Sequence, residues 1–136
     1  MTDDKGFEID AGWWLLGYDG KDKTAKIHNG VKEISFRAFY GSKIERVEIP
    51  DSVDFIDVQA FLCCSELKHI VIPLSVKGVE YAIFEDCDSL TDIFLEAPNV
   101  PDTWDAADWL NGCNARVHCA GEWKYVNGEP VVIDKP

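Results

Sequence analysis

The chain has 136 residues, of which 46% are apolar and 12% aromatic, enough for one packed core and too little for two independent ones. Its 25 carboxylates against 13 Lys and Arg give a formal charge of −12, a field that repels phosphate backbones and anionic membrane surfaces and steers basic protein partners inward. Direct nucleic-acid binding and membrane association are therefore not expected, and a basic protein is the expected partner.

Met1–Gly6 has no basic stretch leading into an apolar run, and no segment approaches the length of a bilayer span. A cytoplasmic protein is expected, or an extracellular one if a leader has been trimmed. Five cysteines form no regular paired framework, which suits reduced thiols.

The first element is an apolar hairpin at residues 7–23, with Phe7, Ile9, Trp13, Trp14, Leu15 and Leu16 around an Ala11-Gly12 turn. It reads as a cap over whatever follows. From residue 24 to 97 the chain repeats itself. Val47, Ile70 and Ile93 recur at a 23-residue interval, as do Ile49, Ile72 and Leu95. Between the second and third copies the paired positions are Pro50/Pro73, Ser52/Ser75, Val53/Val76, Ile56/Val79, Ala60/Ile83, Phe61/Phe84, Cys64/Cys87 and Leu67/Leu90. An earlier copy runs through Ala25, Ile27, Val31, Ile34, Ala38, Phe39 and Ile44, one residue short at the Gly41-Ser42 corner. A fourth starts at Ile93 and loses the pattern after Pro98.

Within a coil, Arg46-Val47-Glu48-Ile49 alternates polar and apolar as a half-buried strand does, and Pro50-Asp51-Ser52 turns the corner. Val53–Ile56 is a second short extended stretch, and Val58–Leu62 reads as a brief helical or 3₁₀ turn. Stacked copies bury the repeated columns as continuous ladders and form a parallel sheet of about four coils. Residues 98–136 read as a degenerate last coil and a C-terminal cap hairpin, with Asn127-Gly128 as its two-residue turn and Pro130 on its outer strand. The tryptophans read as cap and core. One domain, 1–136, results.

The run from Val47 to Leu67 closely resembles the BspA-like (Treponema pallidum type) leucine-rich repeat, and the resemblance extends over roughly residues 7 to 119, including the hairpin that often precedes such repeats. It departs at His28 and Glu96, where proline is usual, and at Ile83, where alanine is. The resemblance implies a leucine-rich-repeat solenoid, with adhesion or host-surface roles in secreted members.

The residues supply little chemistry. Cys64 and Cys87 occupy an inward column and read as inert buried thiols, Cys113 as part of a closing turn, and His118-Cys119 lacks the partners of a zinc site. Asp102, Asp105 and Asp108 share one face if their stretch is helical, but no pocket or shifted acidity is foreshadowed. No cofactor, metal or catalytic set is expected, and no enzyme.

Two surfaces remain. The outward positions of the strand column are Thr24 and Lys26, Arg46 and Glu48, His69 and Val71, Asp92 and Phe94; apolar Val71 and Phe94 stand where a solvated strand is polar, as in a protein-binding patch, the competing explanation being a covering cap or crystal mate. From Gly78 to Ala115 there is no basic residue, while Glu80, Glu85, Asp86, Asp88 and five further carboxylates fall inside. The first reading is a protein-interaction module using both. Its alternatives are an acidic inhibitor that mimics nucleic acid, of anti-CRISPR or anti-defence type from a bacterial or phage source, and a fragment of a cell-surface adhesin.

Overall fold

The first three coils each contribute one strand to each of two rows, the fourth places a short helix where its second strand would fall, and the rows are what the 23-residue period encodes. The computed structural model describes residues 2–133. In chain order its elements are β1 (Phe7–Asp10), β2 (Trp14–Tyr18), β3 (Thr24–Lys26), β4 (Glu33–Ile34), β5 (Arg46–Glu48), β6 (Phe55–Ile56), β7 (His69–Ile72), β8 (Gly78–Val79), β9 (Asp92–Leu95), α1 (Asp102–Ala106), β10 (Arg116–His118), β11 (Trp123–Val126) and β12 (Glu129–Val132).

The first row holds β3 and β5 as one parallel pair and β7, β9 and β10 as a parallel three-stranded sheet. The second row is a five-stranded sheet in the order β1-β2-β4-β6-β8, in which only the β1–β2 hairpin is antiparallel. The solenoid thus has five rungs, one more than the repeat predicted. β10 is the addition: Val117 lies opposite Ile93 just as Ile93 lies opposite Ile70. Between β5 and β7 the row is not laddered; a backbone link there is the Lys68 N–H to Glu45 O bond at 3.4 Å.

The ladders explain the sequence columns. Tyr18, Phe39, Phe61 and Phe84 form a ring column with successive centroids 5.2, 5.0 and 5.4 Å apart, close to the strand spacing of ~4.8 Å that sets it, and Trp109 ends the column edge-on to Phe84 at 6.4 Å. The Ser52 and Ser75 hydroxyls each donate to the carbonyl of the coil before, Val31 and Val53 at 2.8 and 2.7 Å. Cys64 and Cys87 do the same from the thiol, to Phe39 O and Phe61 O at 3.1 and 3.0 Å. The neighbouring Cys87 thiol, together with burial, pushes the Cys64 thiol well above its ordinary range, so it stays protonated and inert.

The stretch read as a short helix is instead a string of tight turns. Arg37, Gln59, Ala82 and Asp108 hold φ of 53, 52, 54 and 55°, and four residues later Gly41, Cys63, Asp86 and Gly112 are again left-handed. A left-handed L-residue costs about 1–2 kcal/mol and stops a helix. The return is three backbone bonds per coil to the next one, such as Gln59 N–H to Tyr81 O, Phe61 N–H to Ile83 O and Cys63 N–H to Glu85 O at 3.1, 2.9 and 2.9 Å, each worth about 1 kcal/mol. That Asp108 and Gly112 keep this geometry shows that the coil with no readable pattern is a true coil, interrupted by α1.

The two ends are closed differently. β2 adds a strand to the second row, with Phe7 and Leu15 buried while Trp13 and Leu16 remain exposed at 37% and 40%. At the far end of that row α1 packs its buried Trp104 over β8, and the indole N–H donates to Lys77 O at 3.3 Å.

Candidate binding surface

The C-terminal hairpin folds back over the outward face of the first row. Trp123 on β11 is the anchor, 8% exposed, its indole N–H donating to Leu95 O at 2.9 Å. From there β11 runs toward a turn at Asn127-Gly128, both left-handed as a two-residue hairpin requires, and β12 returns beside it. The tip reaches β5: Arg46 donates to the carboxylate of Glu129 and, at 3.1 Å, to Gly128 O.

This overturns one expectation. Phe94 is not an exposed apolar contact; it is 3% exposed, with the His118 ring stacked on it at 5.1 Å and Trp123 at 5.3 Å. The sequence showed an apolar outward residue, and the chain's own hairpin is what covers it. Asp92 is drawn into the same contact. His118 Nε2 lies 2.8 Å from its Oδ1 and the Thr91 hydroxyl donates to its Oδ2 at 2.8 Å. Burial pulls the Asp92 carboxyl upward, but those hydrogen bonds and the charges of His118 and Arg116 outweigh it and hold the group below the usual range.

What the hairpin leaves open is a cleft of about 610 Å³ between its own flank and strands β5 and β7. Arg46, Glu48, His69 and Val71 line it, and the unladdered junction of β5 and β7 forms its floor. Its other wall comes from Glu96, Tyr125 and Pro130, which sequence reasoning did not place there. A signal existed for Glu96, the break in the proline column; its carboxylate accepts the Leu74 N–H at 3.0 Å. None existed for Tyr125, whose position depends on the hairpin's fold-back. His69 Nε2 makes no hydrogen bond, with the Glu129 carboxylate 3.4 Å away. Val71 is half-buried and Tyr125 is 53% exposed, so the cleft presents apolar surface between charged side chains.

The acidic candidates lie elsewhere. Glu80, Glu85, Asp86 and Asp88 line none of this cleft. Glu85 is half-buried and accepts from Gln59 Nε2 at 3.1 Å, while Asp86 and Asp88 are exposed. Asp102 and Asp105 lie on α1, but the helix ends before Asp108, and Asp105 accepts the Trp109 indole N–H at 3.3 Å.

Reactive chemistry is poorly served. The five cysteines are unpaired, and burial pushes the Cys63, Cys113 and Cys119 thiols upward, away from thiolate character. Among the described residues no group of three His, Cys, Asp or Glu is placed to hold a metal ion, and no helix is long and apolar enough to cross a membrane.

Residues 21–102 match the family profile described as the BspA type leucine-rich repeat region (6 copies). The chain belongs to that family. Among solved structures it is similar to the leucine-rich-repeat protein of T. pallidum, with 22% identity and a TM-score of 0.52 over 88% of this chain, a likeness of fold. The chain spans 64% of the length of that protein. A leucine-rich cell-surface protein of Faecalibacterium prausnitzii A2-165 also matches, at 21% identity and a TM-score of 0.35 over 76% of this chain and 40% of its own. No curated protein matches in sequence.

Proposed function

We propose that this chain is a non-enzymatic protein-binding module whose partner enters the cleft between strands β5 and β7 and the C-terminal hairpin. The family supports the general part of this reading, since BspA-type repeats make an interaction fold. The observation that carries the specific part is the cleft itself, where apolar Val71 and Tyr125 are flanked by Arg46, Glu48 and Glu96. An apolar centre with a charged rim is the anatomy of a protein interface. Its carboxylates, Asp51 among them, favour a partner segment that carries a basic side chain beside an apolar one.

The test uses a partner recovered from the native host. Val71→Ser combined with Tyr125→Ser is expected to weaken its binding about tenfold or more, on the scale of losing two apolar contacts. Binding that survives this double change removes the cleft from the account.

A second reading is favoured by one observation: Asp86, Asp88, Asp102, Asp105 and Asp108 are all exposed within a stretch free of basic residues. On that reading the acidic end occupies the basic nucleic-acid channel of a target protein as an inhibitor. Charge reversal at Glu85, Asp86 and Asp88 then abolishes binding, and added salt collapses it, whereas an apolar cleft holds at high ionic strength.

A further inference from the structure

The N-terminal cap gives a strand to one row and none to the other. β2 pairs with β4 and closes the second row, whereas β3, first in the outward-facing row, pairs only with β5. In a parallel pair alternate residues serve opposite edges. Lys23 O accepts from the Glu45 and Arg46 N–H groups at 2.7 and 3.1 Å, and Ile27 N–H donates to Glu48 O at 3.1 Å, so the odd-numbered residues of this segment serve β5. The N–H and C=O groups of Thr24 and Lys26 are therefore directed to the other edge, where among the described residues no strand pairs.

A cleft of about 510 Å³ runs along that edge, lined by Lys5, Phe7, Tyr18, Thr24, Lys26 and His28, with Asp22 as its one carboxylate. Its floor is apolar. Phe7 is 3% exposed, and its ring lies 4.8 Å from Tyr18 and 5.1 Å from His28. Its rim carries the exposed Lys5 and Lys26, and His28 Nε2 is held 2.7 Å from the Asp3 carboxylate, which also accepts the Lys5 and Phe7 N–H groups. In the first cleft carboxylates outnumber lysine and arginine; here the reverse holds, on a chain of formal charge −12.

We propose that the free edge of β3 is a strand-addition site for an extended acidic segment of a protein partner. The segment bonds to the main chain of Thr24 and Lys26, sets an apolar side chain on Phe7 and Tyr18, and presents carboxylates to Lys5 and Lys26. Main-chain bonds supply affinity and alternate side chains supply selectivity. No residue lines both clefts, so this site and the cleft beside the hairpin stand or fall separately.

The test selects a displayed random-peptide library against the full chain. Enriched peptides are expected to alternate apolar residues with Asp or Glu, and to bind about tenfold more weakly to Thr24→Pro and to Lys26→Glu, the loss of one or two hydrogen bonds or one charge contact. Proline at 24 removes an N–H that no strand among the described residues uses, and edge strands accept it. In the free chain the Thr24 and Lys26 amides exchange quickly with solvent, and bound peptide slows them. If Thr24→Pro fails to fold, Lys26→Glu and the two amides decide. The proposal is overturned if no peptide is enriched, if binding is unchanged in the variants, or if the amides stay open when peptide binds. Self-association that protects the two amides and is lost in the variants also overturns it, because a second copy is then the occupant.

Discussion

Arg46 and Glu129 stand 83 residues apart in the sequence and meet as an ion pair at the tip of the C-terminal hairpin. With the Gly128 carbonyl and the nearby His69, the pair ties the hairpin to rungs it does not follow in the chain. Both side chains are partly exposed, at 33% and 50%, so the pair contributes no more than about 1 kcal/mol to global stability. Its effect is local. Arg46→Ala is expected to leave the melting curve nearly unchanged while speeding hydrogen exchange at the β11–β12 amides; exchange rates equal to wild type there contradict a tethering role.

Phe94 answers differently because it is enclosed. Phe94→Ala is expected to cost about 3–5 kcal/mol, as for other buried Phe-to-Ala changes, and to shift Trp123 emission toward that of a solvated indole. Val71→Ser, on the open part of the same face, should cost well under half of that. Equal costs, measured by urea unfolding, contradict the hairpin's placement over β9.

Two glycines separate backbone strain from collision. Gly41 has φ +68° and open space where a Cβ would go, so Gly41→Ala should cost about 1–2 kcal/mol, the left-handed penalty alone. At Gly6 a Cβ would stand 2.3 Å from the Gly20 backbone nitrogen, which cannot give way as a side chain tip would. Gly6→Ala should therefore destabilise more than Gly41→Ala and loosen the N-terminal cap, read as faster exchange of the β1–β2 amides.

Acid should expose the Asp92 contact. Because folding lowers its pKa, Asp92 contributes stability that is complete above the ordinary aspartate value of ~3.9 and is lost as pH falls through its lowered folded value. Asp92→Asn should thus be less stable than wild type at neutral pH, with the difference closing below about pH 4. A difference that stays constant down to low pH denies the carboxylate its role.

The repeat was legible because every column does the same job in each coil: Phe39, Phe61 and Phe84 stack, and Ser52 and Ser75 bond the coil beneath. The fifth rung escaped because α1 lengthens the coil and Trp109 replaces phenylalanine at the end of the stack. Half of the surface was legible too. Arg46, Glu48, His69 and Val71 follow from strand alternation, which fixes direction but says nothing of what lies on top. The cover on Phe94 is a tertiary contact made by residues outside the repeat, and no periodicity reports it.

The most direct test of the central claim is a photo-crosslinking comparison in extract of the native host, with a photoreactive phenylalanine analogue at position 71 or 125 in one set of proteins and at 86 or 88 in another. The cleft reading predicts that positions 71 and 125 capture the same protein and that high salt leaves the capture intact. Capture from 86 and 88 alone, lost as salt is raised, would contradict it and move the binding surface to the acidic end.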